Sequence, residues 1–358
     1  MSDFINLFEE MEYMDVYEEL KEQELPLMIW GAGELASEVA QCLEDKHIAI
    51  SDYVVDDNFY DNSPVYISAR IKYSDAVKKY GRFNVVLGHS NYELYKDIEK
   101  KDFVGKVFIL PFVNYTKWDK TNLSEIRVNR SELEHIYSIL EDEKSRSCFV
   151  SMLKTHVSGN PYYCIKECDK QMTFFRNDIF AVGEDEVFLD VGAFDGDTLR
   201  MFLAETGERY KEVICIEPDD ISRKKLEDYI NNHNYDNITV ISEGVWNCKG
   251  TLFFADNQEQ ISSVSDEQTG TTINVDRIDN IVKGATLIKI NYLFGVAEAL
   301  EGAERILAEN RPKLAITCGF NCTNIIGIVN SIIHANTHYK LYLRFNRGMV
   351  STLTLYGV

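Results

Sequence analysis

Apolar positions along this chain fall into short runs closed by turn residues, and longer stretches with apolar residues every third or fourth place. The clearest alternation lies between residues 186 and 219. Val187, Phe188 and Leu189 form an apolar run that predicts a buried strand ending in Asp190. Gly192 and Gly196 then make a tight turn, and Asp197 and Thr198 stand where a helix cap belongs. Leu199, Phe202 and Leu203 give that helix an apolar face, and Gly207 predicts its stop. A second apolar strand, Val213 to Ile216, ends in Glu217. The pattern is a β-α-β unit with a glycine loop, and an acid closes its second strand.

The same rhythm appears nearer the start. Leu27 to Trp30 reads as a strand, followed by Gly31-Ala32-Gly33-Glu34-Leu35-Ala36 and a helix with Leu35, Val39, Ala40 and Leu43 on one face. Ile48 to Val55 predicts the next strand, which ends in Asp56, and 83–88 and 105–112 predict two more parallel strands. Gly31, Gly33, Ala36 and Asp56 fit a dinucleotide fingerprint, so this loop is a candidate nucleotide site; glycines there equally serve helix–strand packing. Ahead of it, residues 1–25 place Phe4, Leu7, Phe8, Met11, Met14, Tyr17 and Leu20 at helical spacing among glutamates, an acidic amphipathic helix. It docks on its own domain or, alternatively, forms a subunit interface in a homo-oligomer.

Residues 126–170 read as helical. Ser131 and Glu134 suggest a capping box, with Leu133, Ile136, Tyr137 and Leu140 on one face. Beyond the central unit, Ile238 to Ser242 predicts a third strand running into Glu243-Gly244-Val245-Trp246. Thr286 to Ile290 predicts a fourth, a helix from Glu298 closes at Arg311-Pro312, and 312–320 predicts a fifth. Residues 339–345 and 351–358 read as a closing antiparallel pair.

These elements divide the chain into an acidic helix (1–25), a Rossmann-like domain (26–125), a helical connector (126–170) and a second α/β domain (171–358). Two domains suit 358 residues, because single cores stop growing near ~250–300 residues. The net charge of −21 argues against nucleic acid or an anionic membrane as partner, since phosphates would be repelled. The acidic start lacks a secretory n-region and no apolar run nears the ~20 residues of a membrane span, which predicts a cytoplasmic protein. Eight cysteines, Cys215 among them in an apolar strand, suit reduced thiols. The Cys164/Cys168 and Cys318/Cys322 spacings are not those of zinc knuckles, so no metal site is expected.

Charge selects a cofactor. Asp190, Asp195 and Asp197 crowd the glycine loop, where a pyrophosphate would be repelled. A ligand with a sulfonium, an ammonium and one carboxylate would be attracted, which describes S-adenosylmethionine (AdoMet). Glu217 has the geometry to accept both ribose hydroxyls. The candidate cofactor residues are Asp190, Gly192, Ala193, Phe194, Gly196, Asp197, Thr198, Glu217, Pro218 and Asp219, with the backbone of Gly244 and Val245 reading the adenine edge. The plain alternative is an α/β turn with solvated caps and no ligand.

The segments QMTFFRNDIF (171–180), EVFLDVGAFDGDT (186–198), VICIEPD (213–219), EGVW (243–246), VDRID (275–279), TLIKI (286–290), EALEGAERIL (298–307), PKLAI (312–316) and YKLYLRF (339–345) resemble, in order, the FkbM-type AdoMet-dependent methyltransferases. The resemblance covers about the last half of the chain. It implies a class I methyltransferase domain with a mostly parallel seven-stranded sheet, hence an α/β protein of two Rossmann-like domains. It also implies a sugar, glycan or small-metabolite hydroxyl as acceptor.

One departure matters. The family reads Asp-x-Glu-Gly after Ile-Lys-x, whereas this chain reads Asn291, Tyr292, Leu293 and Phe294. Cys318-Gly319-Phe320-Asn321 and Arg344-Phe345-Asn346 stand where the family tends to carry histidines. The acceptor half thus loses acids and bases. Asn291, Tyr292 and Arg344 remain as candidate catalytic residues, with Tyr292 or Arg344 standing in for the lost base. Three readings stay open: a methyltransferase with an altered acceptor site, a non-catalytic AdoMet-binding protein, and a nucleotide or nucleotide-sugar module built on the first domain.

Overall fold

The computed structural model describes residues 16–61, 67–89, 94–110, 121–158, 162–168, 174–254, 271–292, 295–319, 321–346 and 353–358. The first fifteen residues of the expected amphipathic helix lie outside these, as do Leu293, Phe294 and Phe320; Val16–Lys21 is helical. The chain forms two units. One takes the described residues of 1–127 and 150–168, the other those of 128–149, 169–346 and 353–358.

The first unit is built on a five-stranded sheet: β1 Leu27–Trp30, β2 Asp52–Val55, β3 Arg70–Lys72, β4 Phe83–Leu87 and β5 Val104–Phe108. All pair in parallel in the order β3-β2-β1-β4-β5, the sequence of strands in a doubly wound sheet. β1 and β4 are buried along their whole length, as a parallel sheet covered on both faces requires. Helix Glu34–Asp45 lays Ala36, Val39 and Leu43 on one face. Trp30, Val54 and Ala76 pack on the other. The second strand is shorter than the expected Ile48–Val55, and β3 has no counterpart in the sequence reading.

The connecting region is helical, with a different cap from the one expected. Helix Arg130–Ile139 begins one residue before Ser131, so Ser131 falls inside its first turn and makes no side-chain cap. The reciprocal cap sits earlier. Asn122 Oδ1 accepts from the Glu125 amide (3.0 Å) and Glu125 Oε2 accepts from the Asn122 amide (2.7 Å), which starts helix Leu123–Val128.

The second unit carries β6 Val187–Val191, β7 Glu212–Ile216, β8 Ile238–Ile241, β9 Gly244–Val245, β10 Gly250–Phe254, β11 Thr271–Asp276, β12 Leu287–Ile290, β13 Lys313–Cys318, β14 Leu341–Phe345 and β15 Leu353–Gly357. Seven form one sheet, ordered β14-β15-β13-β12-β6-β7-β8, in which only β15 runs antiparallel to its neighbours. β9, β10 and β11 make a separate small sheet. The expected single helix from Glu298 is two short ones, Val296–Glu301 and Glu304–Glu309. They part at Gly302, where any side chain would strike the carbonyl of Trp246.

Candidate functional site

The site grows from the C-terminal ends of β6, β7 and β12, where the strand order reverses between β6 and β12 and a doubly wound sheet opens its crevice. The loop after β6 is tight. The amides of Gly192 and Ala193 both donate to the Ile216 carbonyl (3.0 and 3.1 Å), and the Gly196 amide to Ala193 (2.9 Å). Gly192 has φ +71°, and a Cβ there would lie 2.7 Å from the Asn291 carbonyl oxygen. The glycine is required by both conformation and the close approach of the chain after β12.

Glu217, 8% exposed, is held by that loop: its Oε2 accepts from the Phe194 amide (2.8 Å) and its Oε1 from the Asp219 amide (2.9 Å). Each oxygen keeps a lone-pair site for a ligand hydroxyl. Burial pushes this carboxyl upward, against the opposing pull of the two amides. Asp219 caps helix Asp220–His233 through the Ser222 amide (2.8 Å), and Arg223 fastens the carbonyls of Glu217 (3.2 Å) and Pro218 (3.0 Å).

Asp190 is fully buried in an ion pair that sequence reasoning missed. Lys289, in the middle of β12, puts its Nζ 2.8 Å from Asp190 Oδ1 and 2.8 Å from the Gly192 carbonyl. The same ammonium lies 5.6 Å from the Phe174 ring centroid, which brings the segment before β6 to this cluster. Asp190 Oδ2 is buried and has no hydrogen-bond partner among the described residues. The signal was present, since Lys289 is the one charged residue in an otherwise apolar strand.

Two of the three loop carboxylates are countered by cations, and the third is hydrogen-bonded within the loop. Asp190 is neutralised by Lys289 and Asp195 by Arg200 (2.9 Å). Asp197 is spent locally, accepting from the amide (2.7 Å) and hydroxyl (3.3 Å) of Thr198 at the start of helix Asp197–Thr206. Repulsion of a pyrophosphate therefore loses most of its force as a selector of cofactor.

Gly244 and Val245 sit in β9, paired with β11, and a Cβ on Gly244 would lie 3.1 Å from a Val275 methyl. Trp246 packs its ring against Gly295, whose φ of +83° and lack of a side chain make room for it. Asn291 Oδ1 accepts from the Thr317 hydroxyl (2.8 Å), and the Tyr292 ring lies beside Gly192. Burial, with the charge of Glu298 adding to it, pushes the Tyr292 hydroxyl far up, so it remains protonated at neutral pH.

Arg344 does not join this group as a free base. Its buried guanidinium pairs with Asp142 (2.7 Å) and Asp178 (3.3 Å), and donates to the Ser145 hydroxyl (3.0 Å) and the Leu343 carbonyl (2.9 Å). An arginine so engaged stays protonated and fastens β14 to its surroundings.

In the first unit, a side chain on Gly31 (φ +132°) would strike the Gly88 carbonyl, and one on Gly88 would lie 2.9 Å from the Ala36 Cβ, so Gly31 and Ala36 answer to close packing. Gly33 opens helix Glu34–Asp45 with free space beside its Cα. Asp56 directly follows β2. It pairs with Lys101 (2.8 Å), whose ammonium lies over Trp30 and Tyr73, on the face opposite that helix.

No group of metal-ligating side chains occurs among the described residues. No helix among them is long and apolar enough to cross a membrane.

The fold is that of a known methyltransferase structure. Methyltransferase FkbM from Methylobacillus flagellatus KT superposes with a TM-score of 0.69 over 96% of this chain and 93% of that one, at 19% identity. An rRNA methylase from Streptococcus thermophilus (TM-score 0.32, 16% identity, 49% of this chain and 89% of that one) is also similar to part of the chain. So is Aeropyrum pernix fibrillarin in complex with natively bound S-adenosyl-L-methionine (0.34, 12%, 50% and 69%). No protein-family model and no curated protein matches the sequence.

Proposed function

We propose that the second unit binds AdoMet and transfers its methyl group to a hydroxyl of a sugar, glycan or small metabolite. The observation that carries this reading is the pairing of two strand-end carboxylates around one glycine loop. Glu217 is fixed by two amides with lone pairs to spare, and Asp190 holds a buried oxygen without a donor. Both fit the cofactor, and Gly192 lets the chain after β12 pack against the glycine loop that joins them, where any side chain would strike the Asn291 carbonyl. Bound AdoMet supplies a methyl group already activated on a sulfonium. The chain's own part is then to hold that ligand, align the acceptor and exclude water. In this reading Asn291 and Tyr292 line the acceptor side, the phenol donating to the Gly295 carbonyl (3.5 Å) and the amide orienting the acceptor. The acidic balance of the chain supports a neutral or cationic acceptor over nucleic acid.

A second reading, AdoMet binding without turnover, is favoured by one feature: the Asn291 carboxamide is tied to Thr317 and carries no basicity. Incubation with methyl-labelled AdoMet and a panel of sugars and hydroxylated metabolites separates the two. Label transfer that disappears in Glu217→Ala supports the transferase. Cofactor binding with no transfer to any acceptor supports the second reading.

A further inference from the structure

We propose that the acceptor of the second unit is a hydroxyl acidic enough to ionise without help from the protein, a phenol or enol of a small metabolite and not a sugar. This rests on the transferase reading above and narrows its acceptor. An ordinary alcohol has to pass its proton to a base while the new bond forms. At the strand ends around Gly192, the groups that could take that proton are already engaged. Asp190 is paired with Lys289, and Glu217 accepts from two amides. After β12, the Asn291 carboxamide is not basic, and the Tyr292 hydroxyl keeps its proton and donates to the Gly295 carbonyl (3.5 Å). Cys318 ends β13, and burial pushes its thiol far up, so it is no thiolate. Arg344 in β14 is a paired cation.

The histidines of this unit stand at the far edge of the sheet. His233 and His334 lie in the last turns of helices Asp220–His233 and Cys322–Ala335, which run back from the site to the start of the next parallel strand. His338 shortly precedes β14, and His135 belongs to helix Arg130–Ile139, after which Leu140 bridges to Leu341 at the start of β14. One carboxylate, the half-buried Glu298, lies in the first turn of helix Val296–Glu301. Its charge acts on Tyr292, but no hydrogen bond joins the two side chains. Among the described residues, the site thus aligns an acceptor without deprotonating it. A phenol, with a pKa of about 10, ionises in water far more readily than an aliphatic alcohol. Its proton goes to solvent. The oxyanion then forms the C–O bond to the methyl carbon of AdoMet as the C–S bond breaks, and that electron pair leaves on sulfur.

The test incubates the full chain and methyl-labelled AdoMet with 4-nitrophenol, phenol and methyl glucoside over a range of pH. Label should pass to both phenols, at rates that climb with pH and level off near each phenol's own pKa. Transfer to the glucoside should be at least about a hundredfold slower. Glu298→Gln should leave the rates unchanged. Calorimetry gives a readout without turnover. 4-Nitrophenol is titrated near neutral pH, in two buffers of different ionisation heat, into protein loaded with sinefungin, an unreactive cationic analogue of AdoMet. Binding should release a proton to the buffer. An inflection at one pH common to both phenols reveals a protein base and overturns the proposal. So does a loss of rate in Glu298→Gln, or nitrophenol binding without proton release. Transfer to the glucoside at a comparable rate overturns it and leaves the transferase reading standing. AdoMet bound with label passed to none of the three overturns it and favours binding without turnover. Failure to bind AdoMet removes the AdoMet reading itself, and this proposal with it.

Discussion

Lys289 Nζ and Asp190 Oδ1 lie 2.8 Å apart with both side chains fully buried, on neighbouring parallel strands and in register. Their row of the sheet is otherwise apolar, with Ala315 on one side and Cys215 on the other, so the pair is desolvated against a hydrophobic face. Such pairs contribute little net stability, yet breaking one is costly. Here the lysine also grips the Gly192 carbonyl, so the strand that leads to Asn291 fastens the glycine loop directly. Lys289→Met should destabilise the unit by about 3–5 kcal/mol in denaturant unfolding, and Lys289→Met/Asp190→Asn should recover most of that. Burial already pushes the Asp190 carboxyl up against the pull of Lys289, and without the lysine it rises further. An acid whose folded pKa is raised loses stability as pH rises above its unfolded value. The Lys289→Met deficit should therefore shrink on acidification toward pH 4.5.

Asp142 gives the opposite pH dependence. Burial would raise its carboxyl, but Arg344 at 2.7 Å and the Ser145 amide and hydroxyl outweigh it and hold it at about 2. A depressed folded pKa contributes stability that is present above the unfolded value near 3.9 and lost as pH falls toward 2. Between pH 5 and pH 2.5, wild type should lose more unfolding free energy than Asp142→Asn. Equal losses would remove the Asp142–Arg344 pair from the acid response.

Gly192→Ala combines a positive φ with a Cβ 2.7 Å from the Asn291 carbonyl. The variant should lower stability by about 1–3 kcal/mol, since the strained backbone and the clash both act on the folded state. It should also weaken AdoMet binding, because relief moves the chain after β12 and the glycine loop apart. Thermal unfolding and titration on the same sample check both.

Asn291→Asp alone should leave methyl transfer at its wild-type level. The new carboxylate would accept from Thr317 as the carboxamide does, and Leu293 and Phe294 would still occupy the positions after it. A large gain in turnover from this single change would show that one missing charge is all that separates this site from the ordinary family one.

The β6–helix–β7 core was legible because three local signals agreed: a short apolar run, glycines where φ turns positive, and an acid at each strand end. Glu217 and Asp190 emerged for that reason. What escaped the sequence were pairings across distance. Lys289 meets Asp190 from a strand 99 residues further on, and Arg344 finds Asp142 from 202 residues away. No periodicity encodes either contact. Arg344 thus read as a spare functional group, and the crowded carboxylates read as a net negative loop. β3 was missed because three residues, two of them charged, give no apolar pattern to detect. Asp56 was legible at the end of the second strand, but its ion pair with Lys101, 45 residues further on, was not.

The most direct measurement is calorimetric titration of the intact protein with AdoMet, beside Glu217→Ala. The account predicts micromolar binding to wild type and a loss of about 1–3 kcal/mol in the variant, the cost of a charge-assisted hydrogen bond. Absence of binding, or binding that is the same in both proteins, would contradict it.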